Sequence, residues 1–408
     1  MQRIRMSLPY FSELGWDAEV ITVDPKYSEM PKDELLLQSL PKDIKIHYVK
    51  AFNKKWTSLL GLGSIALRSL YFYRKKVSLL LKNNHFDLVY FSTTQFPVCI
   101  LGAYWKKNFK VPYVIDMQDP WHSEYYRDKP KAQQPRKYWF SYRMNKYLEP
   151  KAMRNVDGLI SVSPNYITDL EARYPGIKNI PAATITFGAF DADVQIAKDN
   201  AGKFAPLLDP GTINVVYIGR GGADMHRSVS MLFSAFKDGL EREPELFNRI
   251  RLYFIGTSYA PAGQGKPTIL PLAEQVGIEN YIIELTDRIS YYHSLTTLQQ
   301  ADALFIPGSD DPKYTASKIY PCLLTHKPLL AIFNPASPAI GVLKEYGVRN
   351  VYGYDMDKKA EIYQFLVEVA EGKLPVPAYK ADAIEKYSAR NMTRMQCRLF
   401  DEVIHGEN

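Results

Sequence analysis

Two stretches of the chain bring together residue types that can hold a negatively charged group. In the first, the run GRGG at 219–222 combines Gly219, Gly221 and Gly222 with Arg220, and Arg227 follows closely. Glycines let backbone N–H groups approach an anion, and arginines can grip phosphate oxygens. In the second, Tyr314, Thr315 and Ser317 supply hydroxyls and Lys318 a cation, just ahead of an apolar segment that reads as a helix. A helix start exposes unpaired N–H groups and a partial positive charge, so this too is an anion site, and a diphosphate would suit it. The bland alternative makes Thr315 or Ser317 a helix cap and Lys318 a solvated charge.

A third stretch, VPYVIDMQDPW at 111–121, ends a strand in polar groups. Asp116, Gln118, Asp119 and His122 fall at or beyond its carboxyl end, where parallel sheets carry catalytic or acceptor-binding groups. Asp119 and Gln118 are the candidate catalytic pair. Asp119 before Pro120 also suits a turn, and His122 reads either as a base or, more commonly for a lone histidine, as a surface residue. The carboxylates Asp310 and Asp311 have the chemistry to hold Mg²⁺. Because both phosphate candidates already supply cations, no metal is expected.

These residues need strands and helices to place them. The apolar runs 303–307 and 329–333 bracket a polar loop and one helix-sized segment, a βαβ unit of a parallel sheet. The run 213–218 is a further buried strand leading straight into the glycine turn and a helix over 228–240. Strands at 251–255, 281–285 and 348–352 complete a second domain, with helices at 294–301 and 359–371 and a long terminal helix over 382–403. In the first half, an amphipathic helix opens the chain, and strands follow at 18–23, 45–49, 88–92, 111–117 and 158–162. A Rossmann-like domain normally begins with a strand and a glycine turn, and neither precedes the opening helix. The chain as given is therefore expected to lack the first strand of its N-terminal domain. Expected domains are 1–200, 201–384 and a C-terminal helix at 385–408 that packs back on the first.

The chain has 408 residues, 46% of them apolar, and a formal charge of +7. That length suits two cores better than one. No apolar run is long enough to span a bilayer and no signal peptide is evident, so a cytoplasmic protein is expected. Three scattered cysteines argue against a disulfide frame or a zinc site. Residues 51–150 hold 17 basic and 6 acidic side chains, a net +11. Such a field seeks an anionic partner. The stretch 54–82, with Trp56, Leu59 and Leu62 and the basic cluster Arg68, Arg74, Lys75 and Lys76, reads as a membrane-interface helix or as an ordinary core helix with solvated lysines. The basic aromatic stretch 125–147 carries no nucleic-acid module signature, so no nucleic-acid partner is expected.

The order of these pieces resembles the GT-B glycosyltransferases, in particular the large retaining, family 4-like group with many bacterial polysaccharide and lipopolysaccharide enzymes. VVYIGR at 215–220, IGT at 255–257, QQADALFIPGS at 299–309 and THKPLLAIF at 325–333 match the donor-binding domain. LPYFSELGWDAEVITV and VPYVIDMQDPW match the acceptor-side domain. The resemblance implies an α/β fold of two Rossmann-like domains facing a cleft, a nucleotide-sugar donor on the second domain, a glycan or lipid-linked acceptor, and no cofactor. It implies a cytoplasmic enzyme of cell-surface polysaccharide synthesis, peripheral on the inner face of the membrane, with retention of anomeric configuration. Gly219 and Arg220 match the family's phosphate-contacting pair. The lysine usual five residues after that arginine is Met225, with Arg227 as the substitute. The family's two glutamates fall at Lys313 and Pro321, which leaves Asp310 or Asp311 to hold the donor ribose, and the acceptor-side histidine falls at Gln118. Two rival readings are a nucleotide-sugar epimerase of the same fold and a non-catalytic partner in polysaccharide assembly.

Overall fold

A computed structural model describes the whole chain except residues 1, 29–32, 125–126, 128–130, 132–133, 135–137, 313–317 and 407–408, together with the side chains of residues 2 and 60. It divides into two compact units, 1–188 with 387–408, and 189–386.

Unit 1 opens with α1 (Gln2–Phe11), β1 (Glu19–Val23), β2 (Lys45–Val49), α2 (Lys54–Thr57), α3 (Ile65–Asn83), β3 (Val89–Ser92) and α4 (Ile100–Phe109). It continues through β4 (Tyr113–Met117), α5 (Tyr138–Met153), β5 (Gly158–Ser161), α6 (Pro164–Arg173) and β6 (Ala182–Thr184). All strand pairs are parallel, in two separate sheets, β1-β2 and β3-β4-β5-β6. Among the described residues no strand precedes β1. β4 is buried at every position, which is why it reads as an unbroken apolar run interrupted only by Asp116.

The expected helix over 54–82 is broken. Gly61, at φ +73°, ends the first short turn, and α3 begins only after the Ser64 cap. α3 buries Ala66 and Val77 in the unit 1 core, so that part follows the core-helix reading. Arg68, counted among the surface cations, is instead buried and donates to the carbonyls of Phe52 and Tyr27.

Unit 2 runs α7 (Asp191–Asp199), β7 (Ile213–Ile218), α8 (His226–Arg242), α9 (Pro244–Phe247), β8 (Ile250–Ile255), α10 (Leu270–Val276), β9 (Ile282–Leu285) and α11 (Tyr291–Gln300). β10 (Ala303–Pro307), α12 (Ile319–Leu323), β11 (Leu329–Phe333), α13 (Pro338–Tyr346), β12 (Asn350–Gly353), α14 (Lys359–Ala370) and α15 (Ala381–Lys386) complete it. Its six parallel strands lie in the order β12-β11-β10-β7-β8-β9. Renumbered within the unit this is 3-2-1-4-5-6, the doubly wound order whose topological switch falls between its first and fourth strands, here β7 and β10. α8 and α14 cover one face, and Phe233, Phe236, Leu366 and Phe254 fill the core beneath them.

The boundary falls earlier than residue 200. α7 packs on α11 within unit 2, where buried Asp193 accepts hydrogen bonds from Tyr291 and Tyr292 at 2.8 Å each. The expected terminal helix is interrupted at Tyr387, after which α16 (Ala389–His405) belongs to unit 1 and packs on α1. Its Phe400 meets Phe11, Trp16 and Tyr90.

Candidate functional site

In unit 2 the loops after β7 and β10 meet at the switch point. Ser228 Oγ donates to the Gly308 carbonyl at 2.9 Å, Ser309 Oγ donates to Asp224 at 2.6 Å, and the Asp310 amide donates to the Asp224 carbonyl at 2.8 Å. Arg220 forks onto both oxygens of Asp224, at 2.9 and 2.6 Å. That pair, with Ser309, holds the Asp224 carboxyl below its ordinary range. The structure thus spends Arg220, a candidate phosphate ligand, on fixing the turn.

The glycines also do something other than expected. Gly219 donates its amide to the Ile255 carbonyl at 2.9 Å and Gly221 to that of Thr257 at 2.8 Å, so both extend the pairing of β7 with β8. A Cβ at Gly221 would sit 2.5 Å from Thr268 Oγ1, and one at Gly219 would sit 2.3 Å from the Tyr217 hydroxyl. Close packing of the protein on itself accounts for both glycines. Neither amide points to an anion.

Arg227 stacks over the ring of Tyr354, 4.2 Å from its centre, beyond the end of β12. Asp310 is exposed beside the same tyrosine, whose hydroxyl is pushed up chiefly by burial and then by Asp310. Tyr314, Thr315 and Ser317 lie outside the described residues. The helix that they were expected to open, α12, is five residues long and begins at Ile319, with Lys318 at its cap position.

Lys318 is different. It is half-buried, and its ammonium is pushed below its ordinary range, first by burial and then by Arg288. Arg288 follows β9 and stacks on Tyr259 at 4.8 Å. β7 and β8 lie between β9 and β10 in the sheet, so a pair made by loops after β9 and β10 spans the carboxyl ends of β7 and β8. Among the described residues no carboxylate forms an ion pair with either cation. Sequence reading missed Arg288 because no glycine or motif marks it; its place three residues past a strand end was the available signal.

In unit 1, Asp116 is fully buried at the end of β4. Its Oδ2 accepts from Arg3 at 2.8 Å, Gln118 at 2.6 Å, Ser92 at 3.2 Å and Tyr90 at 3.3 Å. Arg3 also donates to the carbonyls of Ile185 and Thr186, past the end of β6. The Gln118 amide, bonded to Asp116 and Ser92, braces this network. Asp119 is exposed just beyond, its carboxyl raised by partial desolvation.

His122 is not a surface residue: it is 7% exposed. Its amide donates to Glu149, and Arg173 donates to its Nδ1 at 3.3 Å. Burial, then the Arg173 charge, push the imidazole down, so the neutral ring carries its proton on Nε2. Glu149, with no exposure, binds Arg173 and accepts from Tyr174 at 2.9 Å; burial nevertheless raises its carboxyl.

No family model and no curated protein matches the sequence. Solved structures do match, over nearly the whole chain. The N-terminal domain of Candida albicans trehalose-6-phosphate phosphatase shares 14% identity, covers 98% of this chain and 92% of its own, and superposes with a TM-score of 0.58. Sucrose-phosphate synthase from Thermosynechococcus elongatus gives 11%, 99%, 92% and 0.55, and Anabaena HepE, solved with UDP, gives 16%, 98%, 94% and 0.55.

Proposed function

We propose that this chain, which has the GT-B fold of those structures, transfers a sugar from a nucleoside diphosphate sugar bound on unit 2. The observation that carries the reading is the pair Arg288 and Lys318: two cations at the carboxyl ends of a doubly wound sheet, mutually repelling and without a carboxylate. Like charge beside the half-buried Lys318 disfavours its charged form, and a diphosphate bound by the two cations relieves that cost. As the glycosidic bond breaks, negative charge builds on the departing diphosphate, and both cations stabilise it more in the transition state than in the ground state. UDP is the first nucleotide to try, since the HepE structure contains it.

The acceptor in this reading is a glycan or a lipid-linked sugar of cell-surface polysaccharide synthesis, and the anomeric configuration is retained. Asp119, exposed and with its carboxyl raised by partial desolvation, is the unit 1 group best suited to handle an acceptor proton. Incubation with UDP-sugars and an acceptor extract, reading free UDP and labelled product, tests the proposal. Product that requires acceptor supports it. Sugar isomerisation without acceptor assigns an epimerase, and binding without turnover assigns a non-catalytic partner.

A further inference from the structure

The +11 field of residues 51–150 has no role in the proposed chemistry. Much of it converges on α5. The exposed residues of this helix are Trp139, Arg143, Lys146, Tyr147 and Lys151, all aromatic or cationic. At 3.6 residues per turn they fall on one face, while Leu148 and Ala152 on the opposite face enter the unit 1 core, as does Met153 at the helix end. Trp139 and Tyr147 are each 64% exposed. Arg143 lies over the Trp139 ring at 5.7 Å and Lys151 over the Tyr147 ring at 3.8 Å, an alternation of flat apolar bodies and cationic heads.

The stripe extends at both ends. At its start, Gly61 packs so closely on Phe140 that an added Cβ would lie 3.0 Å from the ring, which seats the 54–62 turn beside α5. That turn presents Trp56 at 74% and Leu59 at 80% exposure, with Lys54 and Lys55 exposed alongside. At the other end, Lys151 also lines a cavity of about 590 Å³ with Lys106, Lys107, Lys110 and Arg154, and no acidic residue lines it. That cavity precedes β4 and β5, at the end of the sheet opposite to Asp116 and Asp119.

We infer that this face, from the 54–62 turn along α5 to the basic cavity, docks on an anionic lipid surface. Trp56, Leu59 and Trp139 enter the headgroup boundary, and Arg143, Lys146 and Lys151 pair with lipid phosphates. An exposed leucine beside two exposed tryptophans gains from hydrocarbon and gains little from a charged polymer, which favours lipid over nucleic acid. Among the described residues no helix is long and apolar enough to cross a membrane, so the contact is peripheral. The surface is α5 and the 54–62 turn, while α3 sends Ala66 and Val77 into the core.

Sedimentation of the full chain with vesicles of phosphatidylcholine and phosphatidylglycerol, against phosphatidylcholine alone, tests this. Wild type should sediment with the anionic vesicles at low salt and release as salt rises. The triple variant Arg143→Glu, Lys146→Glu, Lys151→Glu should lose at least about tenfold in partitioning, since each cation adds to surface attraction. The pair Trp56→Ser, Leu59→Ser should lose several-fold. A control with the same charge change on unit 2, Lys237→Glu, Lys266→Glu, Lys344→Glu, should retain binding. Circular dichroism and the thermal shift with UDP confirm that each variant is folded. Three results overturn the inference: no sedimentation of wild type, equal loss in the unit 2 control, or unchanged binding by the Trp56 and Leu59 pair with full displacement by heparin.

Discussion

The two units each place charged groups at the carboxyl ends of a parallel sheet, and they treat that charge oppositely. In unit 1, Arg3 and Asp116 neutralise each other, and Gln118, Ser92 and Tyr90 add donors to the same carboxylate oxygen. In unit 2, burial and then the charge of exposed Arg288 push the Lys318 ammonium down. A charge-compensated network of this kind holds the strand ends in place. In the proposed function the cost of like charge at Lys318 is recovered when the donor diphosphate binds. The contrast recurs within unit 2, where Arg220 is closed onto Asp224 while among the described residues no carboxylate pairs with Lys318.

Breaking the closed network should give the largest effect. Arg3→Met leaves Asp116 charged and buried, and should destabilise unit 1 by about 3 to 5 kcal/mol in urea unfolding. Adding Asp116→Leu to that variant should return much of the loss, because a paired charge removed as a pair leaves no orphan. A loss as large in the double variant would mean that Asp116 is held by groups other than Arg3.

The open pair should behave in reverse. Lys318→Met should leave the free protein as stable as before or more so, and weaken UDP binding by roughly 1 to 3 kcal/mol, as should Arg288→Ala. Calorimetric titration reads both. Undiminished affinity in the two variants would remove the cations from the site. Arg220→Ala should cost UDP affinity less than about 0.5 kcal/mol, the scale of a partly exposed ion pair that only shapes the turn.

The open pair also has a pH signature. The folded-state pKa of Lys318 lies below its ordinary value of 10.5. The unfolded chain therefore holds that proton longer as pH rises, and in the window between the lowered value and 10.5 this group makes stability increase with pH. In the proposed function UDP pairs with the protonated lysine, so its affinity should fall over the same window. Calorimetric titrations across alkaline pH check this, and Lys318→Met should flatten the trend.

Much of the framework could be read from residues alone. The strands at 213–218, 303–307 and 329–333 appear with the bounds expected, because strands buried on both faces of a parallel sheet must be apolar without interruption. Helix lengths were less legible. Gly61 and Tyr387 interrupt patterns that stay apolar on both sides, and α12 shrinks to five residues although its apolar run suggested more. Periodicity marks which face is buried and does not mark where the backbone turns.

The sequence by itself determined the parallel sheets, the glycine turn at a strand end, and the basic excess of residues 51–150. Tertiary structure alone decided which cations remain open. Arg220 and Arg227 both read as phosphate ligands and Arg288 carried no mark, yet in the fold Arg220 closes on Asp224, Arg227 stacks on Tyr354, and Arg288 helps push Lys318 down. Arg3 finds Asp116 from 113 positions away. Charge interactions depend on separation in space and on the water left between groups, and both are fixed only when the strands take their order in the sheet.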